Sequence, residues 1–180
     1  MPVGPLQLLD ELSVSLALNV AKETKEALGT KYEETGTESI LLEMSQKNRL
    51  GRKELAGFYE YDEKGRRLKL WEGLRNLNLE KNSADISTVT VKNRLAYVQA
   101  LEAARALEEN ILLGVEEGDV GGILGWGCLI WAGGPFSWLD HIGHDNVVEE
   151  CQYLSVQYGT RFTPPKIIKE LANSGRKFYN

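Results

Sequence analysis

The chain has 180 residues, a formal net charge of −5 and a hydrophobic fraction of 42%. It has no Lys/Arg block, so nucleic acid and anionic membrane are excluded as partner classes, and a chain this long and apolar can bury a core without metal or disulfide staples. Cys128 and Cys151 are its only cysteines and lack any CxxC or Cys/His pattern; they read as two buried free thiols of a reducing compartment. With no signal-like opening and no apolar run near ~18 residues, the expected location is cytoplasmic.

The chain opens on "VGPLQLLD" at 3–10. Ser13 follows as an N-cap whose hydroxyl can accept from the first helical turn. Val14, Leu18, Ala21 and Leu28 run at helical spacing to Gly29, a C′ glycine. Ile40, Leu41 and Met44 mark a further helix. "GFYEYDEKGRRLKLW" at 57–71 alternates around an Asp-Glu-Lys-Gly turn and predicts a hairpin. "KNSADIS" at 81–87 is the most linker-like stretch.

The longest helix is predicted over 88–112, with a stripe of Val91, Leu95, Val98, Leu101, Ala104, Leu107 and Ile111 widened by Ala96, Ala100 and Ala103. "EEGDVGGILGWG" at 116–127 is a shorter helix closed by glycines. "GGPFSWLD" at 133–140 leads to a helix through Val147, Val148, Cys151, Leu154 and Tyr158 that stops at Gly159. "TPPKIIKELANSG" at 163–175 has a cap-like Thr163, then Pro164 where its missing N–H is harmless, and a closing Gly175. Trp71, Trp126, Trp131 and Trp138 are expected to wedge helices apart in glycine-rich turns.

The chain repeats itself at a shift of 130. Gly4, Pro5, Leu9 and Asp10 fall on Gly134, Pro135, Leu139 and Asp140, and "LGTKY" at 28–32 falls on "YGTRF" at 158–162. "GRKELAGFY" at 51–59 answers "GRKFY" at 175–179, with four added residues. Three phrases in the same order indicate duplication. The division is 1–80, a first helical repeat carrying hairpin 57–71, and 81–180, a second repeat. Two helices precede the second Gly-Pro phrase and none precedes the first, so the first copy reads as N-terminally truncated. The two aspartates are expected to accept from nearby N–H groups at a helix start.

The phrases "PVGPLQLLDELS", "GFYEYDEKGRRLKLW", "VKNRLAYVQALEAARALEE", "DVGGILGWG", "WAGGPFSWLDHIG", "YGTRFTPPKII" and "GRKFY" resemble the C-terminal part of 3-hydroxyacyl-CoA dehydrogenases. The long multifunctional β-oxidation enzymes, with two helical repeats behind a dinucleotide-binding domain, are the type in view. The resemblance implies an all-α fold, a duplicated helical repeat of the 6-phosphogluconate dehydrogenase C-terminal-domain-like type, with a short β-hairpin between the copies. It implies an oxidoreductase of fatty acid β-oxidation that passes a hydride from a 3-hydroxyacyl-CoA to NAD, through a His–Glu pair in the dinucleotide-binding domain. It also implies that an asparagine in an Asn-Arg phrase of the first repeat helps hold the substrate.

This chain has no G-x-G-x-x-G. "GGILGWG" at 121–127 has the wrong spacing and follows a helix. No catalytic, cofactor or metal residue is therefore expected in it, and NAD belongs to the parent enzyme. His141 and His144 read as structural or exposed, Asn93 as a helix-packing counterpart of the family's asparagine, and the Arg/Lys pairs at 52–53, 66–67 and 176–177 as solvated. Val3, Pro5, Leu6 and Leu9 are the candidates for the border of the acyl pocket. The reading is a substrate-side and oligomerisation part of the dehydrogenase, not catalytic in isolation. Its expected partners are an acyl-CoA, an NAD-binding domain in the same or a separate chain, and a second copy in a homodimer or larger assembly. The alternatives are a stand-alone, non-enzymatic helical dimerisation module, or the smaller subunit of a split dehydrogenase.

Overall fold

A computed structural model describes residues 3–32, 36–77 and 86–179. The linker expected over 81–87 falls, for 81–85, outside the described residues. The described residues form two compact units, 3–77 and 86–179. Both are helical, and the strands among them are the hairpin pair of the first unit. No helix among the described residues is long and apolar enough to cross a membrane.

In the first unit, α1 (Pro5–Leu12) starts on the Gly-Pro phrase, whose proline fills a first-turn position that needs no N–H. Ser13 caps α2 (Val14–Leu28), its Oγ accepting from Leu16 N at 3.2 Å. α3 (Thr37–Gln46) packs on α2. The chain then returns through a 3-10 turn, Arg52–Glu54, into β1 (Tyr59–Tyr61) and β2 (Arg67–Leu70), antiparallel and irregular between Tyr59 and Tyr61. The turn is held by Asp62, whose Oδ1 accepts from Lys64 N at 2.9 Å and Arg66 N at 2.8 Å. Val14, Leu41, Met44, Phe58 and Leu77 form the core, with Leu6, Leu9 and Trp71 against it.

In the second unit, Ser87 caps α4 (Thr88–Glu108) through Thr90 N at 3.0 Å. The buried face of α4 is Tyr97, Ala100, Leu101 and Ala104, whereas Val91, Leu95 and Ile111 of the expected stripe are exposed. Val91 and Leu95 lie in the first two turns of α4, and Ile111 lies past its end. α5 (Val115–Trp126) packs on α6 (Pro135–Ile142), and Gly118 makes that approach possible: a Cβ there would stand 2.2 Å from a Phe136 ring carbon. α7 (His144–Tyr158) and α8 (Lys166–Ser174) close the unit. Thr163 does not cap α8. The helix begins after Pro165, because two prolines in a row hold the chain extended until Lys166. Arg105 ties α4 to that segment, Nη2 donating to the Arg161 carbonyl at 2.8 Å and the Thr163 carbonyl at 3.0 Å.

The tryptophans differ from expectation. Trp138 alone sits deep in a core, on α6, edge-to-face with Tyr97 at 4.9 Å. Trp71 packs at the first unit's core under Arg49, whose guanidinium lies 4.3 Å from the ring centroid. Trp126 is half-exposed and donates Nε1–H to Gln99 Oε1, while Trp131 is exposed. A Gly-rich turn leaves a large ring outside unless a facing helix covers it. Both cysteines are free and buried, and burial pushes the Cys151 thiol up to about 12.

Leu139 is inaccessible to solvent while Leu9, at the same place in the repeat, is half-buried. Leu139→Ala is expected to cost about 2–5 kcal/mol, and Leu9→Ala clearly less. Chemical denaturation of the two variants checks this, and equal losses would contradict the difference in cover.

Candidate functional site

The repeated Gly-Pro helices carry a repeated polar contact. In the first unit the Asp10 carboxylate accepts from two successive backbone groups, Phe58 N to Oδ1 at 2.7 Å and Tyr59 N to Oδ2 at 2.9 Å. In the second unit Asp140 accepts from Phe178 N at 2.9 Å and Tyr179 N at 2.9 Å. The expectation of a local helix-start contact is therefore corrected. Both aspartates lie in the later turns of α1 and α6 and hold a Phe-Tyr pair 48 and 38 residues away. A carboxylate has two oxygens and no donor, so it fits two successive N–H groups that point the same way.

The four residues added after Lys53 in the first copy, 54–57, run from the end of the Arg52–Glu54 turn to Phe58 and Tyr59, which return to α1. A Cβ at Gly57 would stand 2.1 Å from Asp10 Oδ1, so only glycine lets the backbone come this close. Arg49, whose role was not read from the sequence, braces the returning strand. It is buried and donates Nε–H to the Gly57 carbonyl at 2.8 Å and Nη2–H to the Tyr59 carbonyl at 3.2 Å, and it pairs with Glu60 at 3.2 Å.

Tyrosine hydroxyls complete both sites. Tyr61 donates to Asp10 Oδ2 at 2.8 Å, and burial and that charge push its phenol well up. Tyr179 donates to Asp119 Oδ2 at 3.0 Å and is pushed up to about 12 by burial, then by that bond. Asp119 is the second residue that the sequence reading passed over. It accepts from Phe136 N at 2.7 Å and Ser137 N at 3.1 Å, the open donors of the first turn of α6, and from Ser137 Oγ at 2.6 Å. The available signal was an acidic residue on the helix before a Gly-Pro phrase, hidden among glycines. His144 lies beside Asp140, its Nε2 3.3 Å from Oδ1 but without hydrogen-bond geometry. Burial holds its imidazole below the usual range against the pull of Asp140.

The named candidates separate. Val3 is half-buried ahead of α1, and Pro5 is exposed at its first turn. Leu6 and Leu9 pack on the first unit's own core. Asn93 bonds Glu150 at 3.4 Å, tying α4 to α7; His141 is exposed and His144 buried. Arg52 pairs with Glu11 at 2.9 Å rather than standing free, and Arg67 lies over the Tyr59 ring and bonds Gln7. An apolar groove of about 690 Å³ lies in the second unit, between α4 and α5, walled by Val98, Ala103, Ala106, Gly121, Trp126 and Pro135.

The described residues thus form two helical units, one with a small hairpin, that share an aspartate-to-Phe-Tyr contact. Residues 1–61 match the family model of the 3-hydroxyacyl-CoA dehydrogenase C-terminal domain. The matched span takes in α1, Asp10, Phe58, Tyr59 and Tyr61. Over this span the chain is similar to the C-terminal domain of 3-hydroxyacyl-CoA dehydrogenases.

Asp10→Asn leaves one acceptor for two buried N–H groups and sets an amide against the second. A loss of about 3 kcal/mol is expected, against about 1 kcal/mol for Tyr61→Phe. Denaturant midpoints read both; an Asp10→Asn protein as stable as wild type would remove the contact's assigned role.

Proposed function

We propose that the chain is the C-terminal, substrate-side and assembly portion of an NAD-dependent 3-hydroxyacyl-CoA dehydrogenase of fatty acid β-oxidation, with both units as copies of one domain. The family match over 1–61 supports the parent activity. The observation that carries the second unit into the same reading is its contact Asp140 to Phe178 and Tyr179, which reproduces Asp10 to Phe58 and Tyr59. The hydride acceptor and its proton acceptor belong to the nucleotide-binding part, and this chain supplies wall and support. Val3, Pro5, Leu6 and Leu9 border the acyl pocket in this reading. Pro5 faces outward, and Leu6 and Leu9 fix the helix from inside. A cytoplasmic location goes with two buried free thiols.

Self-association has its own support. Ile111, Leu113, Leu124, Ile130 and Trp131 are each at least 62% exposed within one short stretch of the second unit. Large apolar patches mark interfaces. The arrangement in which α4 of one protomer covers another's α1 is not favoured, because α4 already spends Tyr97, Ala100, Leu101 and Ala104 inside its own unit.

The chain mixed with NAD and a 3-hydroxyacyl-CoA is expected to form no NADH. Adding the part of a 3-hydroxyacyl-CoA dehydrogenase that precedes its Gly-Pro phrase is expected to restore turnover, and a mixture that stays silent would count against the assignment. Sedimentation velocity at tens of micromolar, a range in which moderate apolar interfaces associate, is expected to show a dimer or larger species that Trp131→Asp with Leu124→Asp returns to monomer. A wild-type monomer would contradict the assembly role.

A further inference from the structure

The shift of 130 sets His144 where the first unit has Val14. Val14 lies in the first core with Phe58, and His144 lies 5.3 Å from the Phe178 ring. A valine fills such a place without polar demands, whereas an imidazole brings two ring nitrogens. One of them is satisfied. The ring shares a hydrogen bond with the Arg176 backbone that favours its charged form, so the acceptor is the carbonyl. Nε2 is buried and has no partner, which leaves Nδ1 as the donor. Asp140 Oδ1 stands 3.3 Å from Nε2, off the line of a hydrogen bond.

The segment bonded by His144 is the one that Asp140 holds. Residues 176–179 follow Gly175, which ends α8 at a φ of 63°, and they form neither helix nor strand. A few contacts fix them. Phe178 N and Tyr179 N donate to Asp140, and the Tyr179 hydroxyl donates to Asp119. The Phe178 ring lies against Phe136 and His144, and the Arg176 carbonyl accepts from Nδ1. In the first unit, by contrast, Tyr59 belongs to β1 and pairs with β2. A segment without such pairing opens locally far more easily than the unit unfolds.

A second proton on the ring has no place in the closed arrangement. Nε2–H would be buried without an aligned acceptor. Turning the ring onto Asp140 withdraws Nδ1 from Arg176, and hydrating it requires the segment to lift. Both outcomes loosen the segment. Burial holds the imidazole below its usual range and outweighs Asp140 on α6 and Asp145 on α7, which attract the proton; Lys177, on the segment itself, opposes it. Asp119 of α5 faces Tyr179. Lifting the segment exposes the ring and restores its ordinary proton affinity. The open form therefore binds more protons, and the attachment, complete above the ordinary histidine range, weakens as the pH falls through it.

We propose that residues 176–179 are a proton-released strap: uptake of a proton by His144 lifts Phe178 and Tyr179 from Asp140 and frees Asp119 of Tyr179. The same contact in the first unit, built with Val14, stays closed.

Hydrogen exchange on the whole chain tests this, read as protection relative to unstructured amides. Between about pH 7.5 and 5.5 the Phe178 and Tyr179 amides are expected to lose about fivefold in protection. Phe58 and Tyr59, and Leu101 in α4, are expected to keep theirs. His144→Val is expected to flatten the dependence and His141→Gln to leave it unchanged. In the wild-type chain the His144 ring, followed by NMR, is expected to titrate over the range of the loss, which keeps the test open if His144→Val does not fold. Protection at 178–179 that stays constant or rises on acidification overturns the proposal, as does a fall shared by Leu101. So does a fall that survives in folded His144→Val or vanishes in His141→Gln, or a His144 ring that stays neutral throughout the loss.

Discussion

A buried carboxylate with two oxygens, facing two successive backbone N–H groups, is the constraint on which each unit turns. Asp10 and Asp140 are buried, and a buried carboxylate is tolerable only when its lone pairs are filled. Phe-Tyr pairs fill them in both units. The requirement dictates the path of everything between. The chain must leave the Gly-Pro helix, run through two more helices and come back with an extended dipeptide at one place. The first copy takes 48 residues to return and the second 38, and four of the added residues, 54–57, lie directly before Phe58.

The hydrophobic residues follow from that return. Phe58 enters the first core beside Met44 and Val14. Phe178 meets Phe136 edge-to-face at 4.8 Å and His144 at 5.3 Å. The backbone contact sets the position, and the phenylalanine ring fills the core beside it. Tyrosine hydroxyls supply a further donor in each unit, but to different acceptors: Tyr61 to Asp10, Tyr179 to Asp119. The duplicated units thus share a backbone contact and have diverged in the side chains around it.

The two units also differ in their outer surfaces. The second unit is closed by α4 and α5 over α6, and its outer apolar residues gather along 111–131, beside the groove of about 690 Å³. The first unit, in which the family match falls, exposes Leu8, Leu12, Leu16, Val20 and Leu28 along α1 and α2, besides Leu42 on α3 and Leu68 and Leu70 on β2. Two units with the same aspartate-to-Phe-Tyr contact thus carry different outer surfaces.

Much was legible in the sequence because it is written locally. Gly-Pro starts, the Ser13 cap, the Asp-Glu-Lys-Gly hairpin turn and the glycines that stop α2, α5 and α7 depend on backbone preferences within a few residues. The repeat announced the Asp and the Phe-Tyr phrase and their order, but not that they touch. The contacts of Asp10, Asp119, Asp140 and Arg49 join residues 8 to 60 apart. No periodicity carries such pairings, because they arise only when separate helices fix two backbones face to face. Likewise, hydrophobic spacing told which residues of α4 could be buried, while only the position of its neighbours decided that Tyr97 is covered and Val91 and Ile111 are not.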